Sequence, residues 1–408
     1  MNESLKYTCL FGGGAIRGLS YIGTIKAFEE LGIYITTLGG SSVGSIFAAL
    51  LAVGYTSDEL NHIFSKVNFN LFRDISIGLG PLFALSKGEV FLDWVREQIE
   101  SKFYGENYQK GTNPAVTFKD LKKELVIITT DLGNFECKEF SKNATPDYEV
   151  ASAVRISCCM PGLMKPIEYN NRLLVDGDLQ KSWPMWKLSE TLKKSKDRIL
   201  ELRLEGYYEN NDISGIDYAN AVYSCMTASS TAFVTNIYGK KDRYDYIVLN
   251  TGDIVIVDFN INEEKRKELV QSGYNQTINY MTKTLPAKKE ELLGFYETIS
   301  RHLQKVSKYI NSNKIYKGRI QLGELYVDLC SFCSIIDKND YLLINSFKDL
   351  YNDNIKHPAL FGKVKLKNET LVKSELSNLM SSVNKKIVEY TEYLAKCKNN
   401  KTLTMKCL

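Results

Sequence analysis

Between Tyr7 and about Tyr280, short β-rich apolar runs alternate with longer segments that have a helical pattern. This alternation predicts an α/β fold, in which helices flank a mainly parallel sheet. The predicted strands are Tyr7–Phe11, Tyr34–Leu38, Leu125–Thr130, Leu173–Val175, Ile199–Leu204 and Tyr246–Asn250. The predicted helices are Leu19–Leu31, Ser45–Val53 and Glu263–Met281.

The pattern changes after Pro286, where long lysine-rich helical segments follow. Two of these segments repeat apolar residues at spacings of four and three, which is a heptad seam. The seam residues are Leu292, Tyr296, Ile299, Leu303, Val306 and Ile310, and then Leu376, Met380, Val383, Ile387, Tyr390 and Leu394. The two helices either pack together as an antiparallel coiled-coil hairpin or use a seam for self-association or a protein partner. We expect one domain over residues 5–284 and a helical C-terminal appendage over 285–408.

The composition, with 44% hydrophobic and 25% charged residues, is that of a soluble globular protein. Charge is distributed unevenly along the chain. Residues 1–284 carry 31 basic and 35 acidic side chains, whereas residues 285–408 carry 21 and 13. The basic C-terminal part suits a solvated surface, an anionic membrane surface or an acidic partner. We expect peripheral contact with membranes and no nucleic-acid partner.

The N-terminal segment 1–11 has neither a basic stretch nor a long apolar run, so we expect no signal peptide. No later window holds about 18 uninterrupted apolar residues, and no membrane-spanning helix is predicted. The nine cysteines are odd in number and several fall in predicted core segments, which favours a reducing, cytoplasmic location over a disulfide framework. Cys330 and Cys333 form one C-x-x-C pair without histidines at zinc spacing, so we predict neither a metal nor a cofactor.

The segment Gly40-Ser41-Ser42-Val43-Gly44 has the form G-x-S-x-G and follows a predicted strand. Small residues at the flanks permit a sharp turn from strand to helix, which exposes the central hydroxyl at the edge of the sheet. Ser42 would also lie at a helix N-terminus, where N–H groups favour developing negative charge. The placement of the motif makes Ser42 a candidate nucleophile.

A second glycine-rich segment, Gly12-Gly13-Gly14-Ala15-Ile16-Arg17-Gly18, follows the first predicted strand and opens the first helix. A dinucleotide-binding loop would look similar, but it also requires an acidic residue about 20 positions later, at the end of the second strand. The stretch Gly32–Gly39 contains no carboxylate. The other interpretation is an oxyanion hole, in which glycines let backbone N–H groups approach a reacting carbonyl.

A nucleophilic serine needs a base, and the three histidines of this chain are poorly placed to supply one. His62 lies on a predicted helix soon after Ser42, while His302 and His357 lie in the appendage. Asp176 ends the apolar run Leu173–Val175, so a strand delivers it to the same edge of the sheet as Ser42. A partly desolvated aspartate beside the hydroxyl can take its proton.

The glycine run with its arginine, the G-x-S-x-G turn and the late Asp-Gly resemble the patatin-like phospholipases, and they occur in the order found in that family. The resemblance covers about residues 5–284. Weaker similarities are the segments Thr130-Asp131-Leu132, Ala151–Pro161 (ASAVRISCCMP) and Asp176–Pro184 (DGDLQKSWP).

The resemblance implies a lipid acyl hydrolase of the phospholipase A or lysophospholipase type, acting on phospholipids or lysophospholipids through a Ser-Asp dyad. It implies Ser42 as the nucleophile and Asp176 as the general base. It further implies an oxyanion hole at Gly13, Gly14 and Ala15, a loop supported by Gly12, Arg17 and Gly18, and an elbow flanked by Gly40 and Gly44.

Two positions depart from the family pattern. Ala15 stands where a fourth glycine is common, and Asp178 stands where the family has glycine or alanine after Asp-Gly. Asp178 adds a second carboxylate near the base, which can raise the apparent pKa of that base.

Two other functions fit the same sequence: acyl transfer to an acceptor other than water, and a catalytically idle lipid-binding or scaffold protein. The apolar residues between Phe69 and Phe91 either line an acyl channel or form core; they include Phe72, Leu79, Leu82, Phe83 and Leu85.

Overall fold

The computed structural model describes residues 6–72, 84–180, 197–206, 244–252, 254, 261–331 and 369–399. The chain divides into two compact units, of which the first is Met1–Gly239 with Arg243–Ile278 and the second is Lys240–Asp242 with Asn279–Leu408. The limits 5–284 and 285–408 remain our proposal for the domains.

The strands described in the first unit are β1 (Lys6–Phe11), β2 (Tyr34–Ser41), β3 (Ala84–Ser86), β4 (Glu124–Asp131), β5 (Glu136–Ser141), β6 (Gly162–Met164), β7 (Ile167–Tyr169), β8 (Arg172–Asp176), β9 (Arg198–Glu205) and β10 (Tyr244–Asn250). The main sheet has the order β10-β9-β1-β2-β4-β8-β7, and β5 pairs with β4. From β10 to β4 all neighbours are parallel, whereas β5 and β8 run antiparallel to β4 and β7 runs antiparallel to β8. The pair β3 and β6 forms a small separate sheet.

The helices described in the first unit are α1 (Ser20–Leu31), α2 (Val43–Ala52), α3 (Ser57–Lys66), α4 (Glu89–Tyr104), α5 (Val150–Ser157) and α6 (Glu263–Asn279). Those described in the second unit are α7 (Leu285–Asn311), α8 (Ile315–Ser331) and α9 (Glu369–Asn399), and a π-helical turn, Tyr280–Thr284, precedes α7. Within the described ranges, no helix has both the length and the apolar character needed to span a lipid bilayer.

The central strands are buried along most of their length. In β1 every residue after Lys6 is buried, and in β4 every residue after Glu124 is buried. Strands of a parallel sheet are shielded from water on both faces, which explains why they read as continuous apolar runs. The predicted fold class, a mainly parallel sheet flanked by helices, is confirmed.

Strand pairing along β4 brings two chain segments to one place. The parallel pairing of β2 ends with Ser41 opposite Ile128, and the antiparallel strand β8 places Asp176 opposite Thr129. Because Ile128 and Thr129 are consecutive, two strands that run in opposite directions end at the same point along β4. The residue after Ser41 and the residue at the end of β8 therefore become neighbours.

The second unit is held together by an apolar cluster shared by its three described helices. The cluster contains buried residues of both heptad seams, including Leu303 and Val383, together with Leu322 and Leu325 of α8. Helices α7 and α9 are antiparallel, since Tyr296 contacts Tyr390, and Ser300 donates a hydrogen bond to Asn384 at 3.3 Å. The two seams thus contribute to one core inside this unit.

The predicted strands and helices each lie within or largely overlap an observed element, and helix α2 begins at Val43 rather than at Ser45. The sequence predicted a helix around His62, where α3 lies, without giving its bounds, and it did not predict β3, β5, β6, β7 or helices α4, α5 and α8. The four missed strands are three to six residues long and mostly half-buried, so they carry little periodic signal.

Candidate active site

Ser42 occupies the turn between β2 and α2 with backbone angles φ 49° and ψ −132°. A non-glycine residue rarely adopts a positive φ, so the surrounding structure must hold this turn in place. A β-carbon on Gly44 would lie 2.1 Å from the Phe11 carbonyl oxygen, and one on Gly40 would lie 2.3 Å from the Ser45 α-carbon. Both glycines of the G-x-S-x-G motif are therefore required by close backbone packing.

The Ser42 hydroxyl donates a hydrogen bond to Asp176, with 2.8 Å between Oγ and Oδ2. Both side chains are buried, at 6% and 1% exposure. The other carboxylate oxygen, Oδ1, accepts the backbone N–H of Asp178 at 2.8 Å. Two residues separated by 134 positions thus form a serine–carboxylate pair in which the carboxylate can receive the hydroxyl proton.

Two further serines hold the turn around Ser42, and the sequence did not predict either of them. The Ser42 N–H donates to Ser157 Oγ at 2.9 Å, and Ser157 in turn donates to the Ile128 carbonyl oxygen at 2.7 Å. The Ser45 hydroxyl donates to the Ser42 carbonyl oxygen at 2.6 Å. Ser157 belongs to the segment Ala151–Pro161, which carried only a weak similarity and no assigned role.

The backbone around Asp176 is fixed by hydrogen bonds on both sides. The Asp176 N–H donates to the Cys159 carbonyl oxygen at 2.9 Å, and Thr130 Oγ1 donates to the Asp176 carbonyl oxygen at 2.9 Å. A β-carbon on Gly177 would lie 2.2 Å from the Ile128 carbonyl oxygen. The Asp-Gly pair is therefore a packing requirement here, since only glycine lets the chain pass so close to β4.

The glycine loop is anchored to strand β9 and to helix α1. The Gly12 N–H donates to the Leu202 carbonyl oxygen at 3.0 Å, and the Tyr21 hydroxyl donates to the Gly12 carbonyl oxygen at 2.7 Å. Burial, followed by the negative charge of Asp178, raises the pKa of Tyr21 well above its usual value. The phenol therefore stays protonated and keeps its role as a donor to the loop.

The remaining residues of the glycine loop have unusual backbone angles or close contacts with neighbouring segments. Gly14 and Ala15 have φ angles of 151° and 47°. Arg17 is buried, and its Nε donates to the Ile254 carbonyl oxygen at 2.7 Å. A β-carbon on Gly18 would lie 2.6 Å from Val43, so Gly18 lets the loop pack against the start of α2. The glycine loop and the Ser42 turn are thus in direct contact.

Gly13 has a contact that the sequence did not predict. Its N–H, one of the expected oxyanion donors, donates to Asp178 Oδ1 at 3.2 Å. Asp178 is itself buried, at 3% exposure. The loop and the Asp176 turn are therefore joined through a second carboxylate.

A thiol also lies close to the dyad. Cys158 Sγ lies 3.7 Å from Ser45 Oγ. Desolvation, followed by the negative charge of Asp176, raises the pKa of the Cys158 thiol well above its ordinary value. A neutral thiol is a weak nucleophile, so burial keeps Cys158 in its less reactive form.

The histidines lie elsewhere. His62 is exposed on α3, His302 belongs to α7 in the second unit, and His357 lies outside the described residues. In the part of the chain that the structure describes, no group of three or more histidine, cysteine, aspartate or glutamate side chains is arranged to hold a metal ion.

A chain of aromatic contacts runs from Phe11 of β1 through the first unit. It links Phe11, Tyr21, Phe47, Phe64, Phe69, Trp94, Phe72 and Phe91 with centroid distances between 4.9 and 6.5 Å. Phe72 is thus packed among other rings. Leu79, Leu82, Phe83 and the side chain of Leu85 lie outside the described residues, so an acyl channel remains a prediction.

Comparison with known proteins adds an independent line of evidence. A family model described as patatin-like phospholipase matches residues 10–184. The uncharacterized protein YqhO of Bacillus subtilis (strain 168) is 24% identical over 288 residues, which cover 66% of this chain and 95% of YqhO. The probable lipid hydrolase 463L of Invertebrate iridescent virus 6 is 29% identical over 185 residues, which cover 44% of this chain and 61% of the viral protein.

Among solved structures, VipD from Legionella pneumophila is similar with a TM-score of 0.51 at 14% sequence identity. The match covers 95% of this chain and 88% of VipD. At this level of identity the similarity concerns the fold alone.

Proposed function

We propose that this chain, whose residues 10–184 belong to the patatin-like phospholipase family, is a lipid acyl hydrolase with Ser42 as its nucleophile. The observation that carries the proposal is the 2.8 Å hydrogen bond from Ser42 Oγ to Asp176 Oδ2. It joins a strained serine at a helix N-terminus to a buried carboxylate, which is the arrangement that nucleophilic catalysis without histidine requires. The name of the viral relative 463L supports lipid as the substrate class.

The reaction proceeds through an acyl-enzyme. Asp176 takes the proton from Ser42 as Oγ attacks the ester carbonyl carbon, and the negative charge moves to the carbonyl oxygen. The tetrahedral intermediate collapses, the alcohol part of the lipid leaves, and Asp176 returns the proton to it. Water then loses a proton to Asp176 and attacks the acyl-enzyme, which releases the fatty acid and restores the Ser42 hydroxyl.

The oxyanion of both intermediates is held by backbone N–H groups of Gly13, Gly14 and Ala15. Gly13 borders the Ser42 turn, because a β-carbon on Gly13 would lie 2.7 Å from the Ser42 β-carbon. The N-terminus of α2, which begins at Val43, adds its partial positive charge. Backbone donors whose positions are fixed before the reaction need not move to meet the developing negative charge, which is why such sites lower the barrier strongly.

Phospholipids or lysophospholipids are the substrates we propose, reached by peripheral contact of a cytoplasmic protein with a membrane surface. Vesicles of phosphatidylcholine and of lysophosphatidylcholine, each with and without anionic lipid, are the first substrates to test. Mass spectrometry of the lipids identifies the ester position that is cleaved. Added alcohols reveal acyl transfer, because new esters then accumulate in place of free fatty acid.

The experiment compares wild-type protein with Ser42→Ala and Asp176→Asn in the release of fatty acid. We expect each variant to lose at least about a thousandfold in kcat/KM, since members of such a pair act as a unit. Ser41→Ala is the matched control, because Ser41 lies in the same motif and its buried Oγ has no hydrogen-bond partner among the described residues. Undiminished release by Ser42→Ala would exclude the proposed mechanism.

A fluorophosphonate probe separates the enzyme from a catalytically idle lipid-binding protein. The proposal expects covalent labelling at Ser42 in the wild type and no labelling in Ser42→Ala. An idle protein would bind vesicles without reacting with the probe in either form.

A further inference from the structure

The Asp178 carboxylate occupies the backbone N–H of Gly13, a hydrogen-bond donor that the proposed reaction needs for the ester oxygen. Its Oδ1 accepts the Gly13 N–H at 3.2 Å, and the side chain is 3% exposed. A β-carbon built on Gly13 would lie 2.1 Å from Asp178 Oδ2 and 2.7 Å from the Ser42 β-carbon. The Asp178 carboxylate and the Ser42 side chain therefore both lie directly against Gly13.

An ester carbonyl that approaches the Gly13 N–H meets two obstacles. The Gly13 N–H already donates to a charged acceptor, and such bonds are stronger than those to a neutral carbonyl. The developing oxyanion would also lie beside a negative carboxylate in a buried site, where repulsion between like charges is weakly screened. Asp178 therefore competes directly with the transition state that Gly13 is expected to stabilise.

We infer that Asp178 closes the oxyanion hole of the resting protein and that the hole opens when this side chain turns away. The inference rests on the proposed function, because it concerns the same donors. Only molecules with the side chain displaced bind the reacting carbonyl fully, and the measured activity is reduced by their fraction of the population.

The surrounding contacts allow the side chain to leave while the dyad stays intact. Asp178 is held through its backbone, since its N–H donates to Asp176 Oδ1 at 2.8 Å, and rotation about its side-chain bonds does not break this contact. The loop is anchored independently, through the Gly12 N–H to Leu202 and through the Tyr21 hydroxyl. Turning the Asp178 side chain away therefore frees the Gly13 N–H and leaves its position unchanged.

The test uses the series Asp178→Ala, Asp178→Asn and wild type in the full chain. The readouts are the second-order rate of fluorophosphonate labelling at Ser42, kcat/KM on vesicles, and the thermal midpoint. We expect Asp178→Ala to label and to turn over roughly tenfold to a hundredfold faster, the range that corresponds to one hydrogen bond with a charged partner. The rates of Asp178→Asn should lie between those of the wild type and Asp178→Ala, because its amide oxygen is a neutral and weaker acceptor for the Gly13 N–H.

Asp131→Asn is the matched control. Asp131 is also buried, and its carboxylate accepts the backbone N–H groups of Gly133 at 2.8 Å and Asn134 at 3.2 Å and a hydrogen bond from Arg172 at 3.2 Å. The Asp131→Asn variant should have a lower thermal midpoint and the same rate of fluorophosphonate labelling at Ser42 as the wild type.

Three results would overturn the inference. Equal labelling rates across the series would show that the carboxylate does not compete, and a lower rate in Asp178→Ala with an unchanged thermal midpoint would show that Asp178 positions the loop productively. Where Asp178→Ala does not fold, the nearly isosteric Asp178→Asn decides between these outcomes. If neither the wild type nor any variant reacts at Ser42, the proposed function itself fails, and the inference fails with it.

Discussion

The candidate active site and the helical second unit differ in backbone conformation and in the kind of contact that is buried. Around the site, Ser42 and Ala15 have positive φ angles, and the buried contacts are made by hydroxyls and carboxylates. In the described part of the second unit, the only non-glycine residue with positive φ is Asn313, between α7 and α8, and the core is an apolar cluster. Asparagine tolerates this conformation, so little strain is stored there. The site thus contains non-glycine residues with unfavourable positive φ angles, whereas the described helical unit has none apart from Asn313.

Truncation of the helical core should give the largest change in stability. Leu303 is fully buried in the cluster, and Leu303→Ala should lower the free energy of unfolding of its unit by about 2–5 kcal/mol through lost burial and a cavity. Denaturant unfolding followed by circular dichroism measures it. Val388→Ala is the control, because Val388 is 55% exposed and should change stability by less than about 0.5 kcal/mol. Equal effects of the two variants would contradict an apolar core at this place.

A pair of substitutions at one position isolates the backbone strain at Ser42, the proposed nucleophile. Ser42→Ala and Ser42→Gly both remove the hydroxyl and its bond to Asp176, but only glycine adopts φ 49° freely. We expect Ser42→Gly to be more stable than Ser42→Ala by about 1–3 kcal/mol, the usual cost of such a conformation. Both should be inactive. Equal thermal midpoints for the two variants would mean that the turn is unstrained.

Removal of a supporting hydroxyl should have a smaller effect. Ser157→Ala leaves the Ser42 N–H without its acceptor, and we expect kcat to fall about tenfold, as when one hydrogen bond near the reacting group is lost. Ser152→Ala is the control in the same helix, since its hydroxyl bonds to Glu149 instead. A Ser157→Ala variant with full activity would show that the turn keeps its shape without this contact.

The smallest expected effect concerns the glycine loop. Ala15 has φ 47°, and Ala15→Gly should raise the free energy of unfolding by about 1 kcal/mol because a left-handed conformation strains alanine. In helix α9 the same exchange has the opposite sign, and Ala395→Gly should lower stability by about 1 kcal/mol. Calorimetry of both variants checks the pair. A destabilised Ala15→Gly would argue against the loop conformation.

The sheet and the positions of Ser42 and Asp176 at strand ends could be predicted because each depends on residues that are close together in the sequence. Buried strands read as continuous apolar runs, and Ser42 and Asp176 each stand beside such a run. The direction of β8 was not predictable, because local periodicity does not reveal whether a strand pairs parallel or antiparallel. The prediction placed Asp176 at the same edge of the sheet as Ser42, but it did not show that β8 runs in the direction opposite to β2.

The contacts that support the site were missed for a similar reason. Ser157 lies 115 residues from Ser42, at the end of a short helix that the sequence pattern did not predict. Asp178 was noted as a departure from the family pattern, but its bond to Gly13 spans 165 residues and depends on the exact turn after Asp176. Hydrogen bonds of side chains across such separations leave no periodic trace in a single sequence.

A ribosome-bound chain that has emerged only as far as β5 already contains Ser42, the glycine loop and strand β4. This chain still lacks Asp176, which follows 134 residues after Ser42. The Asp176 carboxylate reaches the Ser42 hydroxyl only when β8 pairs with Thr129–Asp131. A chain that ends before β8 therefore lacks one member of the Ser42–Asp176 pair, and the reaction we propose requires β8 to be paired with β4.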